Sequence, residues 1–121
     1  MKKSISKIWI KALRSGEFNQ GSEFLEKDGK YCALGVISLL SLMGGQCTYN
    51  SDGGVGLFDN KRSGLSFNTM KWAKISNFLK ADAPFAPFHL NGKISSIAQM
   101  NDSGMNFNQI ADLIEKHWKI L

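Results

Sequence analysis

The sequence predicts a compact single-domain α+β fold, and three observations carry that prediction. Apolar residues recur at helical spacing near both ends of the chain, and a leucine- and isoleucine-rich run stands in the middle. Between the first helix and that run, a Lys-Asp-Gly-Lys turn marks a short hairpin. The length of 121 residues suits one domain, spanning 1–121, with one modest core.

At the N-terminus, Ile5, Ile8, Trp9, Ala12 and Leu13 share one helical face, while Lys3, Lys7, Lys11 and Arg14 gather on the other. Ser4 as cap and Gly16 as stop delimit a predicted basic helix over Ser4–Ser15. Next, Lys27-Asp28-Gly29-Lys30 predicts a turn joining Phe24-Leu25 to Tyr31-Cys32. Val36, Ile37, Leu39, Leu40, Leu42 and Met43 are apolar nearly all round, which predicts a buried central helix ending at Gly44-Gly45. Gly35 near its start implies close approach of another backbone.

Residues Cys47 to Gly64 are a glycine-rich connection with a strand at Val55–Phe58. Ser66 is placed to cap a short helix over Phe67–Lys74 that buries Met70. Ala83 to Phe88, APFAPF, is extended by its two prolines and presents Phe85 and Phe88. A C-terminal helix pair follows. Ser95 caps Ser96–Asn101, and Asn106 with Gln109 forms a capping box for Phe107–Lys119. The apolar face of that last helix carries Phe107, Ile110, Ala111, Ile114 and Trp118.

The net charge of +5 comes from the first fourteen residues, where Lys2, Lys3, Lys7, Lys11 and Arg14 meet no acid. Ten basic and ten acidic residues cancel over the rest. This is a near-neutral domain with one basic helix, not a basic nucleic-acid coat. Charges interrupt every N-terminal apolar run, and Val36–Met43 is too short to span a bilayer, so a cytoplasmic protein away from the membrane is expected. Cys32 and Cys47 read as free thiols.

Four chemistries compete for the polar residues. MNDSGMNFNQIA, from Met100 to Ala111, resembles the turn of a helix-turn-helix reader. The last helix, however, presents Asp112 and Glu115 among its outward residues, and no further helix follows it, which makes DNA an unfavourable partner. A thiol hydrolase would use Cys32 at a helix start, Gln20 as oxyanion donor and His89 or His117 as base. Its neighbours Tyr31, Ala33 and Leu34 suit a buried residue better. No Cys-x-x-Cys or His-x-x-x-His spacing suggests a metal, Gly53-Gly54-Val55-Gly56 lacks the Lys-Ser/Thr of a phosphate loop, and no cofactor is expected.

The fourth chemistry is small-ligand binding. Arg14, Ser15, Asn19 and Gln20 follow the first helix, Asn101, Asp102 and Ser103 lie at the late turn, and Trp9, Phe18, Tyr31, Phe85 and Phe88 offer stacking faces. A guanidinium, amides and aromatic rings are the groups that recognise a nucleotide.

Three segments, WIKALRSGEFNQG, KYCALGV and MNDSGMNFNQIADLIE, together resemble a family of small bacteriophage- and prophage-encoded hypothetical proteins. The shared positions are Trp9, Ala12 to Gly16, Phe18, Gln20 and Gly21; Tyr31, Cys32 and Leu34 to Val36; then Asn101, Asp102, Gly104, Phe107, Ile110 and Ala111. Ala33 stands where a second cysteine is usual, and Ser38-Leu39 where a Cys-Asp pair is usual, which argues against a thiol mechanism. The resemblance implies a phage accessory protein in the host cell cytoplasm. By analogy with small phage proteins that counter host defence, the expected function is sequestration, without turnover, of a small anionic nucleotide-like immune signal, in a homo-oligomer that completes the pocket. Arg14 would meet phosphate with Ser15 beside it, Gln20 and Asn101 would read polar edges, Tyr31 would stack, and Asp102 would accept from ribose hydroxyls or simply cap. The rival binding reading is a protein partner that inhibits a host factor by contacting APFAPF and the basic helix.

Overall fold

The computed structural model describes residues 1–75 and 96–121, and the backbone of 88–90 and 93–95. The first helix, α1 (Lys3–Arg14), buries Ile5, Ser6, Trp9, Ile10 and Leu13. Ile8, expected on the apolar face, is instead 42% exposed, because the buried stripe is rotated toward Ile10. Ser4 does not cap: Lys2 holds that position, with no side-chain bond. The helix start is tethered by tertiary contacts instead. Lys2 N–H donates to the Ala73 carbonyl at 2.7 Å, and the Met1 ammonium donates to the Trp118 and Leu121 carbonyls.

Three two-residue strands follow: β1 (Asn19–Gln20), β2 (Glu26–Lys27) and β3 (Lys30–Tyr31). Asp28 and Gly29 take φ of 51° and 79°, the pair of left-handed conformations that a tight hairpin turn demands. β4 (Tyr49–Asp52) and β5 (Val55–Phe58) turn similarly through Gly53-Gly54. The five strands form one sheet in the order β1-β3-β2-β5-β4, parallel between β1 and β3 and antiparallel elsewhere. β6 (Phe88–Leu90) pairs antiparallel with β7 (Lys93–Ser95). Of the APFAPF stretch, all but the Phe88 backbone lies outside the described residues.

The central helix α2 (Ala33–Met43) is buried along its first half, through Ser38. Leu39, Leu40 and Leu42 only half-bury and Met43 is 74% exposed, so the expectation of burial all round holds for the N-terminal turns alone. Gly35 lies against the Leu25 carbonyl, with no room for a Cβ. That contact seats the hairpin on the helix.

Helix α3 (Phe67–Ala73) is capped by Ser66, which accepts from Thr69 N–H at 3.2 Å. Thr69 donates onward to Ser41 at 2.9 Å, joining α3 to α2 through buried hydroxyls. Helix α4 (Ile97–Asp102) is capped by Ser96, not Ser95, which belongs to β7. Asn106 and Gln109 make the expected reciprocal box on α5 (Phe107–His117), which ends earlier than expected in a 3₁₀ turn at Trp118–Ile120. The resulting α+β domain has one core, centred on Trp9, Leu34, Ile37, Phe58, Leu65, Met100, Ile110 and Ile114. Among the described residues, every buried side-chain nitrogen and oxygen has a hydrogen-bond partner, and no helix is long and apolar enough to cross a membrane.

Candidate functional site

The three sequence segments singled out above converge where β1 passes the turn between α4 and α5. Gln20 projects from β1 into that turn. Its amide nitrogen donates to Asn101 Oδ1 at 2.9 Å and to the Met105 carbonyl at 2.8 Å, and its oxygen accepts from Phe107 N–H at 3.0 Å. Asn101 is 4% exposed. Its Oδ1 also accepts from Ala33 N–H at 3.1 Å, and its Nδ2 donates to the Gly21 carbonyl at 2.8 Å.

Both side chains therefore satisfy helix-start N–H groups that have no intrahelical acceptor. Cys32 occupies the N-cap of α2 without a side-chain bond, so Asn101 supplies the acceptor across a sequence separation of 68. Gln20 does the same for the first residue of α5. The donors of both amides are fully used, so neither reads a ligand through its N–H groups. Their role is to build the wall.

In front of that wall lies an open polar trough of about 530 Å³. Gly21, Ser22, Lys30, Asp102, Gly104 and Asn106 complete its lining. Gly21, Ser22 and Lys30 also border a neighbouring hollow of about 220 Å³ that reaches Lys27 and Asp28, so the depression continues onto the hairpin turn. Asp102 Oδ1 accepts from Glu23 N–H at 3.0 Å. Lys30 is exposed and makes no ion pair among the described residues.

The other expected site residues lie apart from this trough. Arg14 and Ser15 line a different groove, between α1 and α5. There the Arg14 guanidinium is gripped by Asp112 at 2.6 Å and Glu115 at 3.0 Å, so the group expected to meet phosphate is already neutralised. The hydrogen bonds it donates to Glu115 and Asp112 raise its pKa above the ordinary guanidinium value. Tyr31 sits half-buried with its ring edge-on to Phe18, centroids 5.6 Å apart, and burial followed by the Glu26 charge raises its phenol pKa. Trp9 is no stacking surface: it is 1% exposed, and its indole donates to the Ala33 carbonyl at 3.0 Å.

The thiol also departs from an active nucleophile. Cys32 is 6% exposed, and burial pushes its pKa up to about 11, against the weaker lowering by the amides of Gly35 and Leu34. At neutral pH it is a protonated thiol, not a thiolate. His117 is half-buried at the end of α5, and the His89 side chain lies outside the described residues. The outward carboxylates of α5 engage Arg14, which leaves that helix poorly suited to a phosphate backbone. Among the described residues no three His, Cys, Asp or Glu side chains gather to hold a metal.

Sequence reasoning passed over Ser22, Lys30, Gly104 and Asn106. The available signal was the Asp-Gly turn, which brings Lys30 back beside Gly21. A family model matches residues 1–118 of the chain. The chain belongs to DUF8296, a domain of unknown function. The DUF8296 match contains all three converging segments and both sides of the trough. No curated protein and no solved structure matches the chain.

Proposed function

We propose that this DUF8296 chain is a phage accessory protein that binds a small anionic nucleotide-like immune signal at the β1–α4/α5 trough and holds it without turnover. The observation that supports this most is the trough itself. It is an open polar depression whose back wall is pinned by the Gln20–Asn101 hydrogen bonds and whose rim carries Lys30, which makes no ion pair among the described residues. A wall whose amides are already held by hydrogen bonds has less ordering left to do when a ligand binds. Lys30 takes the charge role first assigned to Arg14. Ser22 and Asn106 offer polar contacts, and the second oxygen of Asp102 faces sugar hydroxyls. The trough is open on one side, and a second copy of the chain closes it around the ligand.

A thermal-shift screen against cyclic dinucleotides and ADP-ribose isomers tests this reading. A ligand at a hundred times its Kd stabilises by about 2.7 kcal/mol, a rise of roughly 10 °C for a domain this size. Lys30→Glu should abolish the rise without lowering the ligand-free melting temperature. Absence of stabilisation by every compound refutes binding, and recovery of a chemically altered ligand replaces sequestration with catalysis.

A further inference from the structure

The groove between α1 and α5 is a second feature, built from different residues than the trough. It encloses about 510 Å³ and is lined by Lys7, Ile10, Lys11, Arg14, Ser15 and Glu115. Ile10, 8% exposed, and the aliphatic stems of Lys7, Lys11 and Arg14 make a mostly apolar floor. Along α1 runs a row of exposed lysines, two of which, Lys7 and Lys11, line the groove. Lys3, Lys7 and Lys11 recur at every fourth position and are exposed, and no acidic residue occurs in α1. Among the described residues none of the three makes an ion pair. Arg14 differs: its clasp by Asp112 and Glu115 closes one end of the groove with carboxylates.

We propose that this groove docks an acidic amphipathic helix of a partner protein. Lysines four residues apart rise about 6 Å along α1, the same repeat at which a second helix presents carboxylates at i and i+4. The floor of Ile10 and the basic side-chain stems suits an apolar side chain beside the carboxylates, and an amphipathic helix supplies both on adjoining stripes. A nucleic-acid backbone supplies charge but nothing for the floor, and Asp112 and Glu115 repel phosphate at the Arg14 end. The same two carboxylates set direction: the acidic part of the partner lies along Lys7 and Lys3, away from Arg14. Such a contact gains speed and specificity from its charges and affinity from its apolar anchor. It is independent of ligand binding at the trough.

The test uses the isotopically labelled full chain and a synthetic amphipathic peptide of about 16 residues, with Glu at every fourth position beside a leucine stripe, at about 150 mM salt. Duplex DNA of matched charge is the comparison. Docking predicts amide shifts centred on Lys7 to Ser15 and on Glu115. It predicts at least about tenfold weaker peptide binding by Lys7→Glu/Lys11→Glu, and unchanged binding by Lys30→Glu at the trough. Where charge reversal perturbs folding, Lys7→Gln/Lys11→Gln should still weaken binding about threefold. Absence of shifts up to millimolar peptide, or equal affinity for the charge-reversed chain, overturns the proposal. DNA binding tighter than the peptide at this salt overturns it in favour of a polyanion surface.

Discussion

Replacing Asn101 by alanine removes four hydrogen bonds, the longest from its Nδ2 to Asp102 Oδ1 at 3.5 Å, whose other partners stay in place. Ala33 N–H, on a residue with no measurable exposure, loses the acceptor at 3.1 Å. A buried donor left unsatisfied costs about 1–3 kcal/mol. The Gly21 carbonyl and the Gln20 amide are half-buried and regain water in part, which adds up to about 1 kcal/mol each. The expected loss is about 3 kcal/mol, read as a lower urea midpoint at unchanged m-value, or a melting temperature about 12 °C lower. Asn101 and Gln20 act as one unit, so Gln20→Ala combined with Asn101→Ala should cost less than the two single losses added. Asn101→Asp separates donor from acceptor: it keeps both bonds to Oδ1 but sets a carboxylate against the Gly21 carbonyl. Burial raises the native pKa of that carboxyl above its unfolded value, so this variant is destabilised at pH 7 and recovers as pH falls through the native value. A loss below about 1 kcal/mol for Asn101→Ala, the size of an ordinary surface change, refutes the account. Asn101 would then be free to contact ligand, as the sequence alone suggested.

Gly35→Ala drives a Cβ into the Leu25 backbone carbonyl, which cannot rotate away as a side chain would. A loss of at least about 3 kcal/mol, or no cooperative melt at all, is expected by circular dichroism, and near-wild-type stability would contradict the packing. With a chromogenic disulfide at pH 7.5, half-buried Cys47 should react in the native protein, and Cys32 only on unfolding. Rapid native labelling of both thiols would restore Cys32 as an accessible nucleophile. At Asp59, burial favours a raised pKa but is outweighed by hydrogen bonds from the Thr48 backbone, Ser66, the Thr48 hydroxyl and Asn68, which hold the carboxyl below its ordinary 3.8. Its contribution is present above pH 3.8 and is lost as pH falls through the lower native value. Asp59→Asn should therefore flatten the acid limb of stability below about pH 4, and an unchanged limb would show the bonds to be idle.

What local sequence determined follows from interactions within a few residues of one another. Side-chain periodicity specified α1 and α5, a run apolar nearly all round specified α2, and Asp28-Gly29 specified a turn that needs two left-handed residues. Ser66 and the Asn106–Gln109 pair specified helix starts, because an N-cap bond spans only three residues. Where a long-range contact replaced the local one, the boundaries moved. Lys2 is tied to Ala73, so Ser4 is not needed as a cap, and Ser95 is drawn into pairing with Phe88, which passes the cap to Ser96. The polar residues show the same division more sharply. Arg14, Gln20, Asn101 and Asp102 were legible as residues that bind something. Only the tertiary structure decided that Arg14 binds Asp112 and Glu115, and that Gln20 and Asn101 bind each other and the starts of two helices. The reason is that a hydrogen-bonding side chain carries the same donors and acceptors whether its partner is a ligand or a backbone 68 or 87 residues away. Sequence states the capacity, and the packing of the chain determines what fills it.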